Sequence, residues 1–328
     1  MKKMQVIMEQ TLTQPKDFTD WDNRRFYAYT SYLKRKYGGR VQKVSINASF
    51  TCPNRDGKVG KGGCTFCNNS SFTPSYITPK STITHQLNEG LGFLEKRYNR
   101  SKHFVGYFQS YTNTYGSLDE LKEVYTEALS HPKISGLVIG TRPDCIDEAQ
   151  LDYLQELAEK HIIVLEYGIE SCYNDTLDRV NRGHSFEDTI KALEMSKNRG
   201  FQVGGHLLFG LPGDDRQRML DQVDLINDLP LDTIKFHQLQ IVKGTIMAKQ
   251  YRENPDFIKL FNKDEYIDFI VEFVERLRPD ISIQRFSSEA PPNIKLAPDW
   301  GKLRMDQILN QIEAKLKEKD TWQGKLFL

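Results

Sequence analysis

Three of the chain's five cysteines, Cys52, Cys64 and Cys67, crowd into one short stretch, SINASFTCPNRDGKVGKGGCTFCNNS. The spacing is Cys-x11-Cys-x2-Cys, and clustered thiols of this kind call for a metal. Four protein ligands close a structural zinc site, whereas three thiolates on a [4Fe-4S] cluster leave one iron open for chemistry. Zinc would have to recruit a fourth ligand, His85 or a distant cysteine such as Cys145 or Cys172. Gly57, Gly60, Gly62 and Gly63 let the long first spacer fold back, because glycine accepts positive φ.

Strands and helices alternate around this loop. Strands are expected at Val41–Phe50, His103–Ser110, Ile134–Thr141, Ile162–Glu170, Gln202–Phe209 and Thr233–Ile241. Helices are expected at Thr82–Tyr98, from a capping box at Ser117–Glu120, and at Asp147–Lys160, Ser185–Arg199 (stopped by Gly200), Asp214–Asp228, Lys263–Leu277 and Lys302 to about Lys319. A short strand-like ISIQRF precedes the last helix. Six strand–helix units with short connections argue an α/β fold with a parallel sheet wrapped by helices. Six are too few for a closed eight-stranded barrel, so the expected architecture is a partial (β/α)6 barrel. Residues 41–245 form its core, 1–40 a basic and aromatic N-terminal extension, and 246–328 a C-terminal extension packed on the core. In barrels of this type chemistry sits at the C-terminal ends of the strands, where the cysteine loop falls.

The totals set limits. No run of eighteen apolar residues exists, so no membrane-spanning helix is expected. The opening MKKMQVIMEQTLTQPKD lacks a sustained apolar stretch and reads as no secretory signal. Unpaired, bunched cysteines suit a reducing cytoplasm. Lys+Arg is 45 against Asp+Glu 44, so nucleic-acid binding must come from local patches. One such patch carries Arg24, Arg25, Lys34, Arg35, Lys36, Arg40 and Lys43, interleaved with Tyr27, Tyr29, Tyr32 and Tyr37. It reads either as a helix whose tyrosines pack on the barrel or as a phosphate-tracking face with stacking rings.

A cysteine triad after the first strand of a six-unit barrel, with Phe66 before the last cysteine, resembles the radical S-adenosylmethionine (SAM) superfamily. The long first spacer is similar to that of the branch containing the Elongator catalytic subunit, which acts on tRNA wobble uridines. Phe26–Gly39 and SSEAPPNIKLAPDW (Ser287–Trp300) further resemble the YtqA/YhcC-type, MnmL-like bacterial group, tied to the aminomethyl side chain of that uridine. The resemblance implies a [4Fe-4S] cluster on Cys52, Cys64 and Cys67, SAM on its open iron, and an external one-electron donor of flavodoxin or ferredoxin type. Reduced cluster and SAM then generate a 5′-deoxyadenosyl radical that abstracts hydrogen.

The same resemblance singles out residues along the barrel. Glu170 and Ser171, in LEYGIES, are placed near the SAM ribose or amine. The superfamily's Gly-Gly-Glu is replaced here by YFQSYTNTYG, so Gln109, with Ser110 and Thr112 beside it and Asn113 as second choice, is expected at the amine. Arg182 is a fork donor for the methionine carboxylate or a helix-surface arginine. Phe66 shields the cluster, packs beside adenine, or simply fills the loop. His206, beside Gly204-Gly205, and His237 are catalytic or satisfied core imidazoles. Gly210, in Gly210-Leu-Pro-Gly213, allows close approach to a nucleoside or makes a tight turn. Lys243-Gly244-Thr245 is a candidate adenine contact and Arg285 a candidate substrate contact. The leading expectation is SAM-dependent radical modification of tRNA. The alternatives are the same chemistry on a small metabolite or a tetrapyrrole, as in oxygen-independent coproporphyrinogen dehydrogenase, and a non-catalytic iron–sulfur or zinc protein.

Overall fold

The structure, a computed structural model, describes residues 21–69, 73–78, 81–97 and 101–327. The first twenty residues of the expected N-terminal extension, and Tyr98 at the end of one expected helix, lie outside these. In chain order the elements are α1 (Tyr29–Tyr37), β1 (Val41–Ile46), α2 (Pro53–Asp56), α3 (Ile83–Arg97), β2 (His103–Phe108), α4 (Leu118–Leu129), β3 (Ile134–Thr141), α5 (Glu148–Ala158), β4 (Ile162–Glu170), α6 (Asn174–Arg179) and α7 (Phe186–Ser196). They continue with β5 (Gln202–Phe209), α8 (Arg216–Asn227), β6 (Thr233–Gln238), β7 (Ile241–Val242), α9 (Ile246–Glu253), α10 (Lys263–Arg276), β8 (Ser282–Arg285), β9 (Lys295–Ala297) and α11 (Met305–Glu318).

Seven parallel strands form one sheet in the order β1-β2-β3-β4-β5-β6-β8, the curved half-barrel expected from the strand–helix alternation. The strands are apolar because helices cover one face and a filled interior covers the other; every residue of β4 except Glu170 is buried. Where β5 and β6 meet α10 the core is an aromatic cluster of Phe209, Phe236, Phe269 and Phe273. There Phe209 lies edge-on to Phe269 and Phe273, with centroids 4.7 and 5.1 Å away. The helix starts follow their caps. Ser117 Oγ accepts from Glu120 N at 3.3 Å while Glu120 Oε2 accepts from Ser117 N at 2.7 Å, as the sequence reading expects.

Four differences from the sequence reading have local causes. ISIQRF is not an appendage: its Ser282–Arg285 joins the sheet parallel to β6 as a seventh strand. β1 stops at Ile46 rather than Phe50, because the Gln86 side chain binds both the N–H and the C=O of Asn47 at 2.7 and 3.0 Å. The sixth strand ends at Gln238, whose side chain turns to the backbone of Ser288, and Ile241–Val242 pairs instead with β9 in a separate ribbon. The helix before β5 ends at Ser196, ahead of Asn198 and Gly200, which both take positive φ.

Residues 21–37 plug the lower, N-terminal end of the half-barrel. Trp21, Tyr27, Tyr29, Tyr32 and Leu33 are buried together, and Tyr37 packs against both this group and Val105, Val138 and Val164 on the concave face. Ile283 N donates to Tyr27 O at 2.7 Å, so the plug bridges towards β8, the sheet edge opposite β1. The tyrosines of the basic segment are therefore core and do not form a stacking platform. Arg24 pairs with Glu313 and Arg25 with Asp320. His103, which starts β2, meets Tyr37 O at 3.1 Å, so this face lies at the end of the barrel away from the cysteine loop. Six-residue strands separate the two ends by about 20 Å.

Candidate active site

On the concave face of β4 every second side chain points inward. From the plug upward these are Val164, Glu166, Gly168 and Glu170, and each sits in a different chemical layer.

Glu166 is fully buried and spends its carboxylate within the barrel. Lys43 donates to Oε1 at 2.8 Å, Gln284 donates to Oε1 at 3.0 Å, Lys235 binds Oε2, and His206 Nε2 lies 3.2 Å from Oε2. Burial alone would raise this carboxyl, but Lys235, Lys43 and His206 together hold it well below the usual range. Lys43 also donates to Gln284 at 2.9 Å, tying β1 to β8 across the sheet opening. Sequence reasoning put Lys43 in the basic patch and passed over Lys235 and Gln284. The available signal was a lysine in the middle of the apolar strand TIKFHQ, where only an internal carboxylate makes a charge tolerable. The next layer holds His206 and His237, stacked with centroids 5.7 Å apart. Burial, aided by neighbouring cations, lowers both imidazoles, His206 to about 4, so both are neutral at pH 7.

The cysteine loop roofs these layers. Cys52 caps the one-turn helix α2, and Gly57 (φ +97°) reverses the chain. Val59 N and Gly63 N then return to Pro53 O and Asn54 O at 2.9 and 2.8 Å. The loop is latched to the segment after α6: Thr65 N donates to Val180 O at 2.9 Å and Asn181 Nδ2 to Gly63 O at 2.8 Å. Arg182 reaches back from that segment. Its Nη1 lies 3.6 Å from Cys64 Sγ, its Nη2 donates to Gly168 O at 2.8 Å, and Glu170 Oε1 stands 3.7 Å away. Gly168 leaves the room for this, since a Cβ there would stand 2.6 Å from Arg182 Nη2. Burial opposes the Arg182 charge, but Cys64 and Glu170 outweigh it and keep the guanidinium firmly protonated. Glu170 sits past an irregularity in the β4–β5 ladder at φ +68°, a costly conformation for a non-glycine residue, and burial raises its carboxyl against the pull of Arg182.

A cavity of about 290 Å3 connects roof and layers. Cys52, Cys64, Cys67, Phe66, Gln109, Glu170, Arg182 and His206 all line it, as do Thr112, His237 and Arg285. Ser110, Ser171 and Gly210 are not on its wall. Ser171 is fully buried and accepts from Tyr173 N at 3.2 Å, and Gly210 faces Phe261 and Leu239 in a turn. Asn113 is also absent from the wall: its Nδ2 donates to Phe108 O and Gly140 O at 3.1 and 2.8 Å, stitching the β2 loop to β3. Neither Lys243, Gly244 nor Thr245 lines the cavity, and none of the proposed fourth zinc ligands does: Cys172 is buried elsewhere, Cys145 lines a separate cavity and His85 is exposed on α3.

The cavity fits a cluster and a polar cofactor. Three thiols face it with a buried guanidinium against one of them, and the buried Arg182 Nε and Thr112 Oγ1 have no hydrogen-bond partner among the described residues. Nor do three His, Cys, Asp or Glu side chains there converge on one ion position, which a cluster does not require because each thiolate takes a different iron.

With this geometry in place, sequence comparison defines the class. The Radical SAM superfamily profile matches residues 47–226 and a Radical SAM C-terminal domain profile matches residues 231–318. The chain belongs to the radical SAM superfamily, whose enzymes work with a [4Fe-4S] cluster and SAM. It is 36% identical over 286 residues to protein YhcC of Escherichia coli (strain K12), covering 85% of this chain and 90% of that one. It is 27% identical over 182 residues to the tRNA uridine(34) acetyltransferase of Methanocaldococcus jannaschii, covering 54% of this chain and 32% of that enzyme. The fold matches that of the archaeal Methanocaldococcus infernus Elp3 with a TM-score of 0.65 at 19% identity, over 86% of this chain and 64% of that one. No helix among the described residues is long and apolar enough to cross a membrane.

Proposed function

We propose that this radical SAM enzyme modifies a tRNA nucleoside, the side chain of the wobble uridine, with Cys52, Cys64 and Cys67 holding the cluster. The observation that carries the reading is the pairing of a cysteine-roofed polar cavity with sequence similarity to a tRNA uridine(34) enzyme over the same barrel. When bound, the reduced cluster supplies the electron that cleaves SAM. The chain's own residues then bind, orient and exclude water. Arg182 offers a fixed guanidinium beside the cluster for the methionine carboxylate, and Glu170, held above Gly168, accepts from the amine or ribose. Gln109 and Thr112 stand on the wall where the superfamily's usual acid is missing. Phe66 closes the cavity beside Cys67.

The tRNA is read at the mouth of the barrel and not at the plugged end. Tyr111 is exposed with Arg55 over its ring at 5.9 Å, and Lys58 lies over Tyr115 at 5.1 Å; together they suit stacking and phosphate contact. Mass spectrometry of tRNA nucleosides from a deletion strain tests the substrate. One modified wobble uridine should disappear and its precursor accumulate; an unchanged nucleoside profile contradicts the assignment. Glu170→Ala should leave iron content intact and weaken SAM binding about tenfold, the loss of one charge-assisted contact. Unchanged affinity in equilibrium dialysis removes Glu170 from the SAM site.

A further inference from the structure

The cations at the base of the cavity outnumber the anions. Lys43, Lys235 and Arg285 surround a single carboxylate, Glu166, whose two oxygens are already engaged by both lysines, Gln284 and His206. Arg285 takes no part in that sharing. Among the described residues it forms no ion pair, and its buried Nε has no hydrogen-bond partner. Its Nη2 donates to His237 Nε2 at 2.7 Å. That contact requires an unprotonated ring nitrogen, so His237 orients the guanidinium without neutralising it. Even if burial discharges Lys235, an arginine keeps its proton. Arg285 is largely enclosed, and the nearby Glu166 that favours its charge is already bonded to two lysines. Such a guanidinium is costly without a partner of its own, and its planar fork matches a carboxylate or phosphate. The residue sits at the top of β8, in register with Lys235, and faces the cavity. Arg182, which stands beside Cys64, is a separate cation on β4's side of the same space. Of the other two acids on the wall, Glu170 is taken by Arg182, and Glu289, exposed at the rim, forms no salt bridge with Arg285 among the described residues.

We propose that Arg285 is a specificity-determining residue that seats an oxyanion, carboxylate or phosphate, carried by the substrate, with His237 fixing the plane of its guanidinium. This rests on the reading of the cavity as the substrate site and extends it to a substrate class: a molecule that brings negative charge to the barrel floor while its reacting carbon faces the cysteine roof.

The test compares reconstituted wild type with Arg285→Gln and Arg285→Lys. Iron content and SAM affinity are measured first, then the thermal midpoint with sodium acetate, sodium phosphate or neutral acetamide at matched ionic strength. Wild type should be stabilised by an oxyanion and not by acetamide, because a ligand that binds only the folded state raises the midpoint. Arg285→Gln should lose that response while keeping iron and SAM affinity, and Arg285→Lys should keep part of it. A response to acetate alone assigns a substrate carboxylate, and a response to phosphate a nucleotide phosphate. With tRNA from a deletion strain as substrate, kcat/KM for Arg285→Gln should fall about a hundredfold, the scale for truncating one partner of a buried charge pair. The proposal is overturned if neither anion stabilises the wild type, if Arg285→Gln responds like it, or if Arg285→Gln loses SAM binding, which would make Arg285 a cofactor ligand. Failure of the tRNA assignment would appear in the nucleoside profile and leave the anion response unaffected.

Discussion

Cys64→Ala protein, reconstituted without oxygen, is expected to hold less than about one iron per chain where wild type holds about four, and to form no 5′-deoxyadenosine from SAM. Cys64 is the most enclosed of the three loop cysteines. It is 7% exposed, Arg182 lies at 3.6 Å and the Asn54 amide at 3.8 Å from its sulfur. Both donors also bind elsewhere, Asn54 Nδ2 to Asn181 O and Arg182 O, and Arg182 Nη2 to Gly168 O, so neither is orphaned when the sulfur is removed. The fold should survive, because Arg182 keeps Gly168 O and Glu170, and the loop keeps its backbone latches to Val180 and Asn181. Iron analysis together with circular dichroism separates loss of the cluster from loss of structure. A folded variant that still binds four irons and cleaves SAM would remove Cys64 from the ligand set.

Glu166→Ala is expected to cost about 3–5 kcal/mol of stability, the range for breaking a buried ion pair by removing one partner. The carboxylate is the only anion bonded to Lys43 and Lys235 among the described residues, and both lysines would be left facing each other in the barrel. The effect depends on pH with a defined sign. The folded Glu166 carboxyl lies well below the ordinary value of 4.5. Its contribution is therefore fully present above the unfolded pKa and is lost as pH falls through the folded one. Urea unfolding should show the gap between wild type and variant to be constant near neutral pH and to narrow in strong acid. A gap below about 1 kcal/mol at pH 7 would mean that water or an ion replaces the carboxylate.

The cysteine spacing and the half-barrel were legible because each rests on local pattern: thiols close in sequence, apolar β-branched runs, and a capping box at Ser117–Glu120. The ionic floor was not. Alternation shows that Glu166 and Glu170 share a face, but it does not show which residue of β1, β6 or β8 lies across from them. Lys43 and Gln284, 241 positions apart, meet only because the sheet curves. The tyrosines of residues 27–37 show the same limit. Their interleaving with arginine and lysine reads equally as a surface or as a plug; the burial of Tyr27, Tyr29 and Tyr32 decides it, and the contact of His103 with Tyr37 O places the plug at the lower end of β2. Asn113 was chosen for its chemistry, yet its amide nitrogen is taken by two carbonyls that no spacing rule exposes. The fourth ligand needed for zinc was sought along the chain, whereas in the fold Cys145 lines a separate cavity with Pro53, Lys58 and Val59 of the loop, and Cys172 is buried off the wall of the cysteine cavity.

The central claim is a cluster held by three cysteines with one iron left for SAM. Mössbauer spectroscopy of oxygen-free protein, reconstituted with isotopically enriched iron and recorded before and after SAM is added, addresses it most directly. The expected result is a [4Fe-4S] signal in which about one iron in four changes its parameters when SAM binds. A cluster in which every iron is unaffected by SAM, or purified protein carrying zinc in place of iron, would contradict it.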